Sequence, residues 1–356
     1  MKVFVADPNA KKLPFWPMVS VVCLSFLDLF CVNVSIPNIP FMCQMFFPDI
    51  PQTETGFYSG YLVGIYSVGG VIGNLLWGWF ADQFGRKPCL LISTLGTCIC
   101  FSWFGLSRSY AEAMAARFIW GLLNSTLGIV KTYVSEICSS HTMATGFSLI
   151  STAQGVARIV GPLVGGSFAN PQYYFPEFVK TFPIFGEFPF FLPHFIGSIF
   201  CLFVFIITII CAPESLCRKD IIKAEEMKQH NKKKVQTIKE KMSKDPNYVP
   251  TVYETHLIAI TKDTYWDMIK QKDVVLTCLF YGLTSLIQGT QDALLPLWLL
   301  NPISKGGFLW DQNDIGWLYC GLGPVQVLQW FSILCIVTFA ICIRQCNFTY
   351  LLIYFN

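Results

Sequence analysis

The chain has 356 residues, 53% of them hydrophobic and only 13% charged, with mean hydropathy +0.50; a soluble globular domain carries roughly 25% charge, so this composition indicates a membrane protein. Its 25 Lys+Arg against 22 Asp+Glu give a net charge of +3, too balanced and too apolar for a nucleic-acid binder, whose affinity comes from a basic patch. The 15 cysteines are odd in number, and most of them, Cys23, Cys31, Cys98, Cys100, Cys201, Cys278 and Cys335 among them, lie inside apolar runs, so they read as small core hydrophobes rather than disulfide partners.

A spanning helix needs about 20 predominantly apolar residues. Eight runs qualify, at residues 15–36, 57–80, 88–107, 111–131, 143–166, 190–212, 273–299 and 315–337. The first is too long for a signal-peptide core, carries Asp28, and ends in Ser35-Ile36-Pro37 without a small-residue cleavage site, so it is expected to persist in the mature chain. Past the sixth run the composition changes abruptly, from Ile206-Ile207-Thr208-Ile209-Ile210 to a stretch with Glu225-Glu226 and Lys232-Lys233-Lys234. Residues 213–272 therefore read as a charged cytosolic linker between an N-terminal bundle at 1–212 and a partial C-terminal bundle at 273–356. Val235, Ile238 and Met242 fall at helical spacing within it, so it reads as a solvated connector or, in part, as an amphipathic helix on the anionic inner leaflet. The layout is that of an all-α polytopic transporter of two bundles.

Lys and Arg set the sidedness. Three precede the first run, Arg86 and Lys87 follow the second, and thirteen lie within 213–272, whereas the opposite side holds Arg108, Lys180 and Lys305. The N-terminus is accordingly expected in the cytoplasm. Plasma and vacuolar membranes are both compatible with this composition.

The second run ends in Gly78-Trp79-Phe80-Ala81-Asp82-Gln83-Phe84-Gly85-Arg86-Lys87-Pro88. A reverse turn here needs glycine at positive φ, and Pro88 can open the next helix. The acid among bases either sets topology or clamps a neighbouring helix through charge-assisted bonds that break when bundles rock. Residue by residue the stretch resembles the G-x-x-x-D-x-x-G-R-K signature of the major facilitator superfamily, carried by Gly78, Asp82, Gly85, Arg86 and Lys87. Arg117-Phe118-Ile119-Trp120-Gly121 resembles that family's Arg-x-x-x-Gly motif, and Gly155 with Gly161-Pro162-Leu163-Val164-Gly165-Gly166 resembles the glycine-proline motif of its antiporters. Leu76-Trp77-Gly78, Val130-Lys131 with Ser135-Glu136, Phe188-Pro189-Phe190-Phe191-Leu192-Pro193, Ala212-Pro213-Glu214-Ser215 and Asp292-Ala293-Leu294-Leu295-Pro296-Leu297-Trp298 resemble its zinc-induced-facilitator-like branch.

The resemblance implies two six-helix bundles, transport fuelled by ion gradients with no cofactor, and exchange of substrate for protons. It implies a cytoplasmic gate at Asp82, Arg86 and Lys87. Substrates implied by the branch are chelated metals, organic anions, zwitterions and monovalent cations. This chain supplies six spans plus two. Its apolar run at 315–343 has 29 residues, about 43 Å as a helix and too long for one upright span of the roughly 30 Å core, while the tail from Phe348 to Asn356 is too short to span. A truncated, alternatively spliced or misjoined product is therefore expected. The alternative to a transporter is a non-transporting product that pairs with a full-length homologue as its regulator.

A charge near mid-bilayer costs roughly 2.5 to 3.5 kcal/mol, so ionisable residues inside spans are functional candidates. Asp28, Arg117, Arg158 and Asp292 stand out, at about 12, 9, 12 and 10 Å from the outer ends of their runs. They are expected to form one charge-neutral layer lining the cavity between bundles, where protonation of Asp28 or Asp292 competes with pairing to Arg117 or Arg158. Fixed structural ion pairs are the alternative. Asn124, seven residues after Arg117, is expected on the same face, where a bond to a neighbouring helix explains it equally well. Lys131 and Glu136 are candidates for substrate contact, with plain snorkelling as the other reading of the lysine. Arg158 lies beside the kink expected at Pro162, and Gly161-x-x-x-Gly165 lets two backbones approach closely, so the motif glycines read as packing surface.

Direct zinc sites want His, Cys or carboxylate clusters, and His141, His194, His230 and His256 are scattered along the chain. No resident metal is expected. Two acids and two bases in a cavity suit a zwitterion or small organic anion better than a bare divalent cation. The sequence carries no Walker-type phosphate loop, nucleophile elbow or paired metal ligands, which argues against an enzyme. A seven- or eight-span receptor would share the hydropathy without needing both the Asp82-to-Lys87 loop and Gly161-Pro162. The expected partners are a small-molecule or ion substrate, protons and the lipid bilayer.

Overall fold

Backbone polar groups in hydrocarbon must bond within the chain, which leaves helices as the form available to apolar runs of this length. The structure, a computed structural model, describes residues 10–49, 51, 54–215, 234–238 and 272–322. Among these residues six helical stretches are long and apolar enough to cross a membrane: Phe15–Phe46, Thr55–Phe84, Arg86–Gly105, Tyr110–Ile137, Met143–Ser167 and Phe191–Cys211. They correspond to the first six runs of the sequence. The seventh run forms a helix at Lys272–Leu300, and the eighth is helical from 312 to 322, with the rest outside the described residues. Six spans rather than eight are thus established among the described residues. The protein is an all-α polytopic membrane protein.

The first stretch differs from the expected 15–36. Helix α1 (Phe15–Ser35) runs on through a 3-10 turn at Ile36–Asn38 into α2 (Ile39–Phe46). Pro37 and Pro40 fall in this continuation. Each occupies the first turn of the next helical piece, where a missing N–H costs no bond. Side chains cover carbonyls near the joint: Ser35 Oγ donates to Cys31 O at 3.2 Å and Asn38 Nδ2 to Val34 O at 3.1 Å. As a result Asp28 sits near the middle of a 32-residue stretch.

Helix α3 (Thr55–Phe84) ends at Gly85, whose φ of 101° ends the helix and lets α4 (Arg86–Gly105) start at the next residue. The fourth run, expected as one helix over 111–131, is two: α5 (Tyr110–Leu123) and α6 (Thr126–Ile137). Asn124 leaves the helical region with ψ 96° and Ser125 with φ −123°. Both are residue types whose side chains compete for backbone bonds and favour helix ends. Helix α7 (Met143–Ser167) contains Pro162; three short helices, α8 (Pro171–Tyr174), α9 (Pro176–Thr181) and α10 (Ile184–Glu187), lead into α11 (Phe191–Cys211). Helix α12 is Lys272–Leu300. In the linker, residues 234–238 are helical with Val235 and Ile238 buried, while Met242 lies outside the described residues.

The described residues fall into two compact units, one of residues 214–215, 234–238 and 272–292, the other of α1 to α11 with residues from 293 onward. In the second unit α1 packs on α7, α11 and α6, α3 on α5, and α4 on α11 and α5. Helices in lipid gain no hydrophobic drive to associate and rely on close backbone approach. Gly121 of α5 shows it: a Cβ there would overlap the Tyr66 carbonyl of α3 and stand 3.0 Å from Gly70 N. The outward faces of α3 and α11 expose Val71, Leu75, Phe203 and Ile206 among others, as lipid-facing surfaces do. Cys31 and Cys201 lie 3.7 Å apart, sulfur to sulfur, without a disulfide.

Gly121→Ala is expected to weaken the fold by about 1 to 3 kcal/mol through overpacking, whereas Gly64→Ala on α3, with no described heavy atom within 4 Å of the added carbon, should be near neutral. Unfolding midpoints in mixed micelles compare them, and equal midpoints would mean that α3 and α5 separate freely.

Candidate functional site

The break between α5 and α6 is where the polar interior of the bundle gathers. Asn124 Nδ2 donates to Asp28 Oδ1 at 2.6 Å and to Tyr66 OH at 2.9 Å, while Asn124 Oδ1 accepts from Thr126 N at 3.4 Å. Toward the start of α6, Ser125 Oγ donates to Asn74 Oδ1 at 2.8 Å, and Ser93 Oγ bonds Thr126 Oγ1 at 2.9 Å. Four helices, α1, α3, α4 and α6, thus meet around two residues that belong to neither half of the broken helix. Asp28 is 8% exposed, and among the described residues no base pairs with it.

Arg117 lies elsewhere. It precedes Asn124 by seven residues on α5, about 10 Å along the helix, so it is displaced from Asp28 toward the end of the bundle where α5 begins. It is 2% exposed, and its Nε and Nη2 have no hydrogen-bond partner among the described residues. The rings of Phe104, Trp120 and Tyr66 surround the guanidinium at 4.5, 5.2 and 5.9 Å. The single charge layer expected from the sequence is corrected here. Depths had been counted from an end of the first span at residue 36, whereas the helix continues to Phe46. Asp28 and Arg117 form no ion pair with each other.

Arg158 does share a level with Asp28. Helices α1 and α7 pack in parallel, Gly161 against Phe30 and Asn33 and Gly165 against Val34 and Pro37, which sets Arg158 opposite the turn holding Asp28. Gly166 and Pro162 face the helix beginning at 312, where they meet Gln312 and Gly316; Gly155 is half-buried on α7. Tyr174 ties the same region to Asp311 with a 2.8 Å bond, and burial together with that carboxylate pushes its phenol up to about 12. Asp292 lies in the other unit and accepts a 2.9 Å bond from Gln288.

At the end of the bundle where α1 begins, Arg86 gathers three helix termini. Its Nη1 bonds Asp82 Oδ1 at 2.8 Å, and its Nε and Nη2 both reach Glu136 Oε1, at 3.0 and 2.9 Å. The Arg86 and Glu136 side chains are 9% and 24% exposed, whereas Asp82 is 68% exposed. Lys87 Nζ donates to Ile209 O at 2.7 Å and so caps the last turn of α11. Gly78 has no described heavy atom within 4 Å of an added Cβ. Glu136, grouped in the sequence with Lys131 as a substrate or coupling candidate, is thus engaged in this clamp, while Lys131 is exposed on α6.

Sequence reasoning passed over Tyr66, Asn74 and Ser93, and weighed His194 only as a metal ligand. His194 is fully buried, with Nδ1 2.6 Å from Phe190 O and Nε2 3.3 Å from Ser35 Oγ. The signal was present: amides, hydroxyls and rings with polar edges inside apolar runs find partners on neighbouring helices. Among the described residues no group of three or more His, Cys, Asp or Glu could hold a metal ion.

The profile of the Major Facilitator Superfamily matches residues 18–344. A "Probable peptide/nitrate transporter" of Arabidopsis thaliana is 26% identical over 309 residues, covering 85% of this chain and 60% of that protein. "Protein ZINC INDUCED FACILITATOR-LIKE 1" of the same plant is 28% identical over 305 residues, again 85% and 60%. The chain therefore spans about 60% of the length of these curated relatives. The crystal structure of a D-xylose–proton symporter superposes with a TM-score of 0.55 at 15% identity, over 91% of this chain and 69% of that one, a likeness of fold.

The exposures within the clamp rank its two acids. Asp82→Asn removes an exposed pair and should cost under about 1 kcal/mol, while Glu136→Gln leaves a buried guanidinium short of its main partner and should cost about 2 to 4 kcal/mol. Denaturation midpoints of the purified variants measure both, and the reverse order would refute this reading of the clamp.

Proposed function

The chain belongs to the major facilitator superfamily, and from that premise we propose that the protein carrying it is a secondary active transporter that exchanges a small solute for protons. The observation that carries the proton half is Asp28. It is a carboxyl in mid-span, held by a neutral amide at 2.6 Å, with no described base in contact. Such a group can gain or lose a proton without breaking an ion pair. Arg117, with two buried N–H groups unpartnered, supplies positive charge on the side of the bundle toward which a carried anion or zwitterion would be drawn. Arg158, level with Asp28 on α7, adds a second positive charge, and Lys131 lies within electrostatic reach of Asp28.

The remaining parts serve motion. Asp82, Arg86, Lys87 and Glu136 form the gate on the side we assign to the cytoplasm, following the Lys and Arg asymmetry. Gly155, Gly161, Pro162, Gly165 and Gly166 give α7 the close, smooth contacts along which it can slide or bend. The substrate class is a small organic anion, a zwitterion, a metal chelate or a monovalent cation, and the driving force is the proton gradient, with no cofactor taking part.

The test uses proteoliposomes bearing the protein expressed from its complete coding sequence, loaded with a trapped pH dye. Nitrate, dipeptides, zinc chelates and potassium are added outside in turn. Antiport raises the internal pH upon entry of the transported solute, and Asp28→Asn should abolish that rise at least tenfold. Internal acidification would indicate symport instead, and proton flux unchanged in Asp28→Asn would refute the role of this carboxyl.

A further inference from the structure

Both amide hydrogens of Asn124 are committed. One amide hydrogen goes to Asp28 at 2.6 Å, the other to Tyr66 OH at 2.9 Å, and its oxygen accepts from the Thr126 backbone at 3.4 Å. Flipping the amide would turn donors toward a donor and an acceptor toward a carboxylate, so the three bonds select one orientation. Of the three partners, Thr126 is backbone and Asp28 is the group whose state changes. Tyr66 is thus the one side chain among the three that can serve as a fixed reference.

Tyr66 is suited to be that reference. Its backbone lies at a close contact of α3 with α5, its carbonyl against Gly121 with no room for a side chain. Its ring rests on Trp120 at 4.9 Å, tilted 59°, and under the Arg117 guanidinium at 5.9 Å. Ring and backbone are both held by α5, the helix that Asn124 terminates. The hydroxyl is therefore carried by a rigid support, as a group that orients another must be.

We propose that Tyr66 is a positioning residue for the proton on Asp28, acting through Asn124 at the break between α5 and α6. This rests on the proton-coupling reading of Asp28 and goes further by naming what holds its donor in place. With the phenol present, Asn124 offers its hydrogen to Asp28 along one direction. Without it, the second amide hydrogen is unsatisfied and the amide rotates to find another acceptor, which loosens its bond to the carboxyl. The other ionisable groups around Asp28 do not substitute. Arg117 of α5 stands behind the Tyr66 ring, Lys131 of α6 acts from a distance, Arg158 of α7 shares its level, and on α11 Cys201 faces Cys31 while His194 is bonded to Ser35 and Phe190. None of them bonds the Asn124 amide.

Infrared spectroscopy of the bilayer-reconstituted protein tests this without a substrate. The carbonyl stretch of a protonated buried carboxyl is followed against pH, and the band missing in Asp28→Asn is assigned to Asp28. In Tyr66→Phe, which keeps the ring, the band should persist with its midpoint moved by about one pH unit, the equivalent of one hydrogen bond. Ser102→Ala, a hydroxyl between α4 and α11 that bonds Cys98 and Ser198 away from the break, should leave the midpoint in place. If Tyr66→Phe does not fold, fluorotyrosine at position 66 preserves shape while changing the phenol, and a smaller shift is expected. A wild-type midpoint in Tyr66→Phe, or in the fluorotyrosine protein where only that folds, overturns the positioning role while leaving proton coupling at Asp28 intact. The lack of any Asp28-dependent band across the accessible pH range overturns the coupling reading itself and this proposal with it.

Discussion

A carboxyl in the middle of an apolar helix has no water to turn to, so the protein must bring it a donor, and here that donor is Asn124. Meeting this demand shapes much around it. Asn124 can reach across to α1 because the helix stops there: α5 ends at Leu123 and α6 begins at Thr126. The stop frees backbone groups that must themselves be satisfied. Ser93 accepts from Ser125 N at 3.3 Å and Asn124 Oδ1 accepts from Thr126 N at 3.4 Å. One buried acid thus entails a helix break, and the break entails the hydroxyls and amides of α3 and α4 that close it.

This cluster needs helices held at fixed distances, and glycine contacts supply that. Gly121 brings α5 against Tyr66, so the ring that faces Asn124 belongs to a helix that cannot draw away from it. Gly161 and Gly165 do the same for α1 and α7, setting Arg158 at the height of Asp28. Dispersion at such contacts is modest atom by atom. Its value here lies in register, since a displacement of one turn would carry Asp28 about 5 Å from Asn124.

The spans were legible in the sequence because 20-residue apolar runs have one outcome in a bilayer, and the Asp82-to-Lys87 loop was legible because its charges are adjacent in the chain. What could not be read depended on partners far apart. Pro37 and Pro40 look like helix stops until they are seen at the first turns of successive helical pieces. Misreading that end set the first span ten residues short and drew Asp28 and Arg117 into one layer. Glu136 looked like a free carboxyl near a helix end, since its partner Arg86 is 50 residues away. The break at Asn124 was masked by apolar residues on both sides, and hydropathy averages over the two residues that matter.

The broken helix also links the two ends of the bundle in a way an intact one would not. Helix α6 is 12 residues long, about 18 Å, with the Asp28 cluster at one end and Glu136 of the Arg86 clamp near the other. An intact helix would force α6 to follow α5, which is bound to α3 by glycine contacts and to the aromatic box by Arg117. Because the Ser125 and Thr126 N–H groups bond side chains rather than carbonyls of α5, α6 is joined to α5 through side-chain bonds rather than through a continuous backbone ladder. Asn124, just before α6, holds Asp28, and Glu136, near its other end, holds Arg86. Any coupling carried between these two contacts would have to be reciprocal, as linkage between two equilibria is, and the structure offers one short helix, tied by polar side chains near each end, to carry it.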